Sequence, residues 1–292
     1  MVIVMKIMIK RFLADLVYWF HRLGLVKNKI LVKSIDETIE QLVTTEKSLV
    51  RLGDGEIKLI SGKDIPFQTS DVVLAERLKS ILTQNEENLL VALPDVFTDV
   101  SQYIDTSQTF WKEHMLFHRK EYVKYCNLER VYENAFFSRP YIMYKDKKRA
   151  GILFEYMKKI WEKKEIVFVE GEISHNAVDV DLFEGAKSIE RIICPSAQAW
   201  SVYDDIYAAC KGLPKEKLFL ISLGAAGKVL AMDLHHDGYR VLDVGSLDME
   251  YGWFLEGAER KCRVPKHEIR TREENINAGY VQYLQEIIVE IK

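Results

Sequence analysis

Six short runs of nearly unbroken aliphatic residues constrain this chain more than any other feature. They are "SLVRLG" (48–53), "NLLVALP" (88–94), "EIVFVEG" (165–171), "RIICPS" (191–196), "KLFLISLG" (217–224) and "YRVLDVGS" (239–246). A strand with one wet face alternates polar and apolar residues, whereas a strand buried on both faces does not. The runs therefore predict a largely parallel sheet covered by helices. Helix-length segments separate or follow them, at roughly 35–46, 71–84, 148–163, 198–211, 225–237 and 271–290. Strand–helix–strand alternation of this kind implies an α/β fold with right-handed crossovers. The aromatic, mixed-charge stretch 97–147 is expected to supply helices and connections packed on the sheet. No repeat, low-complexity tract or Pro/Gly/Ser linker divides the chain, so residues 31–292 are expected to form a single domain.

At 292 residues, 48% of them hydrophobic, the chain is long enough to bury a sizeable core. Its net charge of −3 argues against a protein whose main task is coating nucleic acid. Cys126, Cys194, Cys210 and Cys262 are scattered, with no C-x-x-C pair, as suits a reducing, cytoplasmic setting without a zinc site or disulfide framework. The N-terminal stretch 1–30 is different. Up to residue 29 it carries six Lys/Arg against one acid, Asp15, among many apolar residues. Lys6, Lys10, Arg11 and Asp15 interrupt it too often for a bilayer span, which needs about 20 mostly apolar residues, and a signal-peptide cleavage site is missing. A basic, apolar helix is expected here, either packed on the domain or lying on the anionic inner face of a membrane.

In an open parallel sheet, ligands collect beyond the carboxyl ends of the strands. Here those ends read "GDGE", "EGEISHN", "PSAQAW", "LGAAGK" and "GSLDMEYGW". In "GDGE", Asp54 and Glu56 would share one face if the segment stays extended. Two hard oxygen donors suit Mg²⁺ or Mn²⁺, and Gly53 and Gly55 would let the backbone approach a ligand closely. A solvated acidic turn is the plainer alternative. In "LGAAGK", Gly224 opens a helix whose free N–H groups could bind phosphate, with Lys228 adding charge. Ser222 and Val229 stand where a Walker A loop needs Gly and Ser/Thr, and no G-x-G-x-x-G is present. Asp243 lies near the position of a ribose-binding acid. Ser196 follows a strand without a nucleophile elbow and reads most simply as a helix cap. Asp248 and Glu250, beside Tyr251 and Trp253, are candidates for a general base.

Taken together, these segments resemble the GT-D-fold glycosyltransferases. "RLGDGE" is similar to that family's R-[FL]-G-D-G-E signature. "SRPY" (138–141), "DLFEGAKSIERIICPSAQAW" (181–200) and "LGAAGKVLAMDLHHDGYRVLDVGSLDMEY" (223–251) resemble its later motifs in the same order. The resemblance spans roughly residues 35–260. It implies a Rossmann-like fold of GT-D type, and transfer of a hexose from a nucleoside-diphosphate sugar, typically UDP-linked, to a glycan or glycoprotein acceptor in surface polysaccharide or glycoprotein assembly. It implies Mn²⁺ or Mg²⁺ held by Asp54 and Glu56. Cationic and N–H contacts to the diphosphate would come from Arg51 or Arg139, from the Ser196 turn and from the Gly224–Lys228 turn. Glu250 or Asp248 would take the acceptor proton, with Glu250 preferred. Two positions depart from the pattern: His175 stands where the family usually has Arg, and Ser246 where it often has His. Either departure could alter substrate choice or weaken activity, which leaves a nucleotide-sugar-binding module as one alternative and another Rossmann-type enzyme as a second.

Overall fold

A computed structural model describes residues 2–27, 29–268 and 278–292. Its strands are β1 (Leu31–Val32), β2 (Ser48–Arg51), β3 (Leu89–Leu93), β4 (Val131–Asn134), β5 (Glu165–Gly171), β6 (Ser188–Cys194), β7 (Leu218–Ser222), β8 (Arg240–Asp243) and β9 (Ile287–Glu290). The α-helices are α1 (Val2–Arg22), α2 (Ile35–Thr44), α3 (Asp54–Ile60), α4 (Val72–Thr83), α5 (Asp105–Tyr125), α6 (Lys148–Trp161), α7 (Tyr203–Lys211), α8 (Gly224–His236), α9 (Leu247–Leu255) and α10 (Ala278–Glu286). The strands form one sheet in the order β1-β4-β3-β2-β8-β7-β5-β6-β9. Every strand pair in it is parallel. All six apolar runs are strands, and β3 is buried along its whole length, as a strand covered on both faces must be.

Local chemistry accounts for the helix positions. Ser34 caps α2 by accepting the Glu37 N–H while Glu37 returns a carboxylate oxygen to the Ser34 N–H, a reciprocal capping box. Asp71 accepts the Leu74 N–H at the start of α4. Helix α8 lies close on the sheet at Gly227, where an added Cβ would fall 2.7 Å from the Ile221 side chain. Helix α1 docks on α5 through Lys112 to Asp15 at 2.8 Å, with Tyr18 donating to Asp99 at 3.0 Å.

Several expected boundaries shift. The expected helix over 271–290 is α10 followed by β9, its segment 271–277 lying outside the described residues. "IIVE" turns extended because β6 offers it a parallel edge and its β-branched residues favour a pleated surface. The helix over 198–211 begins as a 3₁₀ turn, Ala199–Val202, before α7. The aromatic middle contains a strand, β4, that carries buried Glu133 and Asn134 instead of an apolar run. Glu133 is satisfied by Lys33 at 2.7 Å and by the Thr38 hydroxyl at 3.1 Å.

The C-terminal pair α10–β9 is held by a buried cation. Arg191 on β6 donates to Glu170 at 2.6 Å, to the Asn176 carbonyl at 2.8 Å and to Glu286 at 2.8 Å, with its guanidinium 4.5 Å from the Tyr283 ring centre. Burial opposes its charge, but Glu170 and Glu286 outweigh that and raise its pKa. Removing one partner of a buried ion pair strands the other in a dry interior. Arg191→Ala is therefore expected to cost about 3–5 kcal/mol in urea unfolding, and a loss below about 1 kcal/mol would show that the cluster does not hold this edge.

Candidate active site

A cavity of about 1080 Å³ lies at the carboxyl edge of the sheet, lined by residues at or just beyond strand ends, among them Gly53–Glu56, Gly171, Ser196, Gly224 and Gly245–Ser246. It is large enough for a nucleotide-sized ligand, since small-molecule sites run to about 1,000 Å³. Gly171 approaches Ser196 so closely that a Cβ would lie 2.8 Å from its hydroxyl. That hydroxyl accepts the Ile173 N–H at 3.2 Å, so Ser196 braces the β5 and β6 ends against each other and caps no helix.

The "GDGE" segment is helical, not extended. Strand β2 stops at Arg51, Gly53 is the N-cap, and Asp54 and Glu56 occupy the first turn of α3. Carboxylates are favoured there by the helix dipole, and the following "IKLI" buries Ile57, Leu59 and Ile60. Glu56 reaches back to accept the Gly53 N–H at 2.7 Å, and Asp54 pairs with Lys58 at 2.9 Å. In a helix these carboxylates diverge, yet both residues still line the cavity. Among the described residues no group of three or more His, Cys, Asp or Glu side chains is disposed to hold a metal. Hard carboxylate oxygens, one of them already drawing the Lys58 ammonium, fit a Mg²⁺ or Mn²⁺ ion that takes its other ligands from phosphate and water.

Asp243 is fully buried and lies outside the cavity lining. Its Oδ1 accepts from Arg51 Nη2 at 2.8 Å, while Oδ2 accepts the Arg51 backbone N–H at 3.1 Å and pairs with Lys228 Nζ at 2.7 Å. Burial opposes the charged carboxyl, but the Arg51 and Lys228 charges prevail and hold it below its usual range. Both oxygens being engaged, it is not disposed to receive a ribose. Arg51 spends its other donors on the Asp243 carbonyl at 2.8 Å and on Ser138 at 2.6 Å. Arg51 and Lys228 still line the cavity floor. Arg139 also lines it and donates to Ser246 at 3.3 Å.

The second acidic pair is placed differently. Asp248 and Glu250 sit in helix α9, both fully buried and outside the cavity lining. Asp248 accepts the Ala177 N–H at 2.8 Å, pairs with Lys266 at 2.6 Å and lies 3.0 Å from His267 Nε2. Glu250 accepts from the Tyr141 and Ile142 N–H groups at 3.3 and 3.0 Å, which backs the segment carrying Arg139. Burial outweighs those bonds and raises its pKa. His267 itself lines the cavity. Sequence reasoning passed over it because its partner lies on another element. Lys58 was equally overlooked, although its i,i+4 spacing from Asp54 was a readable signal. Of the two departures from the family pattern, Ser246 is at the cavity, whereas His175 is buried against Tyr280 and Tyr283. Burial lowers the His175 pKa to about 4.

A parallel α/β sheet with glycine turns, cations and carboxylates gathered at its carboxyl edge is an arrangement in which ligands bind. Comparison with known proteins makes the class specific. The family described as glycosyltransferase GT-D fold matches residues 49–271. "Probable glycosyl transferase Gly" of Streptococcus gordonii is 40% identical over 247 residues, covering 83% of this chain and 36% of that protein. "Glycosyltransferase GlyD" of Streptococcus pneumoniae serotype 4 is 41% identical over 235 residues, covering 80% and 29%. The chain thus spans about a third of the length of these curated relatives. A solved structure described as a new glycosyltransferase from Streptococcus sanguinis superposes with a TM-score of 0.83 at 36% identity, covering 90% of this chain and 100% of that one. Another, described as having a distinct glycosyltransferase fold, gives 0.84 at 36% identity, covering 90% and 96%. The chain belongs to the glycosyltransferases of GT-D fold.

The cavity floor depends on Gly245, which has φ +48° and would carry a Cβ only 1.8 Å from Arg51 Nη2. Gly257 has φ +63° with open space around it. Gly257→Ala is expected to cost only the left-handed strain, about 1–2 kcal/mol. Gly245→Ala, which must also displace a buried guanidinium from its carboxylate, is expected to cost at least about 3 kcal/mol more. Equal losses in chemical denaturation would mean that Arg51 is not anchored as described.

Proposed function

We propose that the chain transfers a hexose from a nucleoside-diphosphate sugar, UDP-linked in the favoured case, to a hydroxyl of a glycan or glycoprotein acceptor in surface polysaccharide or glycoprotein assembly. The observation that carries this reading is the one cavity lining that Asp54 and Glu56 share with Lys58, Arg139 and Lys228. Acidic donors for a divalent cation and basic groups for a diphosphate are both needed where a nucleoside diphosphate departs. Asp54 and Glu56 would hold Mn²⁺ or Mg²⁺, and Lys58 would release Asp54 as the ion enters. When bound, the ion supplies charge neutralisation for the leaving diphosphate.

The chain's own groups do the rest. Arg139 and the first-turn N–H groups of α8 contact phosphate oxygens, and Lys228 and Arg51 keep the floor positive around Asp243. Burial lowers the Arg139 pKa, a sign of a cation short of solvation that gains from an anionic ligand. For the acceptor proton, the geometry favours a different role for the α9 acids from that expected. Asp248 orients His267, whose other ring nitrogen, Nδ1, takes the proton, in the manner of carboxylate–histidine pairs elsewhere. Glu250 positions the Arg139 segment through its two backbone contacts.

The test is release of nucleoside diphosphate from a panel of nucleotide sugars with Mn²⁺. UDP-hexose should be turned over. Asp54→Ala is expected to lower turnover at least about a hundredfold, and His267→Asn about a hundredfold or more while leaving Mn²⁺–UDP binding in place. Full metal-dependent turnover in Asp54→Ala would refute the metal assignment. Binding of UDP without any turnover in the wild-type chain would favour the binding-module alternative.

A further inference from the structure

Helix α1 buries a narrow face on α5 and leaves a broad apolar one outside. Ala14 is 3% exposed, whereas Met8 is 66% exposed, Phe12 67% and Trp19 50%. Met5, Met8, Phe12, Leu16 and Trp19 follow one another at spacings of three or four, and Ile9, Leu13 and Phe20 widen the stripe. In a helix such residues stack on one side, here the side turned from the domain. Large apolar side chains gathered this way mark an interaction surface rather than ordinary exposed residues.

Its borders are basic. Lys6 sits beside Ile9, and Arg11 beside Met8, at helix-neighbour spacing. Both are exposed, as are Lys27 and Lys29 just beyond the helix. Residues 1–29 hold six Lys/Arg against one acid, while the whole chain is −3. That acid, Asp15, is held by Lys112. Lys10 and Arg11 are drawn to Glu113 and Arg22 to Asp99, so the charge that borders the stripe toward solvent comes chiefly from Lys6, Lys27 and Lys29, on a mildly acidic protein. No described helix is long and apolar enough to cross a membrane, so the stripe has the features of a helix that lies in an interface.

We propose that α1 docks the protein on an anionic lipid bilayer, with Phe12, Leu16 and Trp19 entering the acyl boundary and the flanking cations meeting lipid phosphates. A second copy of the chain is the competing occupant, but cationic borders on both copies would repel each other. The dock also has a route to the cavity: α5, which α1 grips through Lys112, carries Phe110 and Trp111 in the cavity wall. Acceptors presented at the membrane surface would then meet the site without diffusing through bulk solution.

The experiment is vesicle co-sedimentation of the full chain. Vesicles of phosphatidylcholine with about 40% phosphatidylglycerol are compared with pure phosphatidylcholine, at about 0.1 and 1 M NaCl. Strong pelleting is expected with the anionic vesicles alone, weakened at high salt. Phe12→Glu and Trp19→Glu should each reduce the partition by roughly tenfold or more, because burial of one large apolar side chain is worth at least that. Ile152→Glu, on the exposed face of α6, should leave it unchanged. Circular dichroism and melting temperature confirm that each variant folds. Absence of pelleting, or equal pelleting of Phe12→Glu and wild type, overturns the proposal. So does a dimer in sedimentation velocity that Phe12→Glu dissolves, with no vesicle binding, since the stripe would then belong to a second copy.

Discussion

The carboxylate of Asp243 is shared between two cations, Arg51 from β2 and Lys228 from α8. Strand β2 is thereby locked to α8 and β8, much later in the chain, at the carboxyl edge of the sheet. One buried anion facing two cations leaves a unit positive charge in the floor, where both cations reach the cavity. A group of this kind is costly to break because any single loss strands a charge. It also fixes where β2 stops, and so where Gly53 can start α3 with Asp54 and Glu56 in its first turn. Gly245 is part of the same constraint, since only a residue without a side chain leaves room for the guanidinium. The cavity therefore inherits an acidic wall and a basic floor from one interaction beneath it.

Much of the architecture was legible because burial on both faces removes polar residues from a strand, and all six such runs are strands. What was missed has a physical cause in each instance. Strand β4 reads "VYEN", and its buried Glu133 is tolerable only because Lys33 and Thr38 reach it from elsewhere. Strand β9 follows α10 without a break, and only its pairing to β6 separates the two. The start of α3 was readable: Asp and Glu at its first and third positions, followed by "IKLI", is a helix opening, but two glycines drew attention to an extended form.

Site residues were legible by position and less so by role. Asp54-x-Glu56 and Asp248-x-Glu250 look alike in sequence, each just beyond a strand. One pair lines the cavity; the other is buried in α9, where Lys266, His267 and the Ala177 N–H engage Asp248, and the Tyr141 and Ile142 N–H groups hold one oxygen of Glu250. Partners supplied from other elements decide this, and a single sequence does not reveal them. The same reasoning separates the two departures from the family pattern. His175 packs among tyrosines and is not part of the cavity lining, whereas Ser246 meets Arg139 within it.

Helix α5 joins the two outward-looking parts of the molecule, with α1 on one side and the cavity on the other. A basic, apolar helix outside and a charged cavity inside are consistent with a transferase working close to a surface. The proposed function rests on a cavity that holds a nucleoside diphosphate through a cation on Asp54 and Glu56. The most direct measurement is the melting temperature of the wild-type chain with UDP, GDP or NAD, each with and without Mn²⁺. At saturating ligand, UDP with Mn²⁺ should raise it by about 5 °C or more, and UDP without the metal should have little effect. Stabilisation by NAD alone, or by UDP equally with and without Mn²⁺, would contradict the assignment.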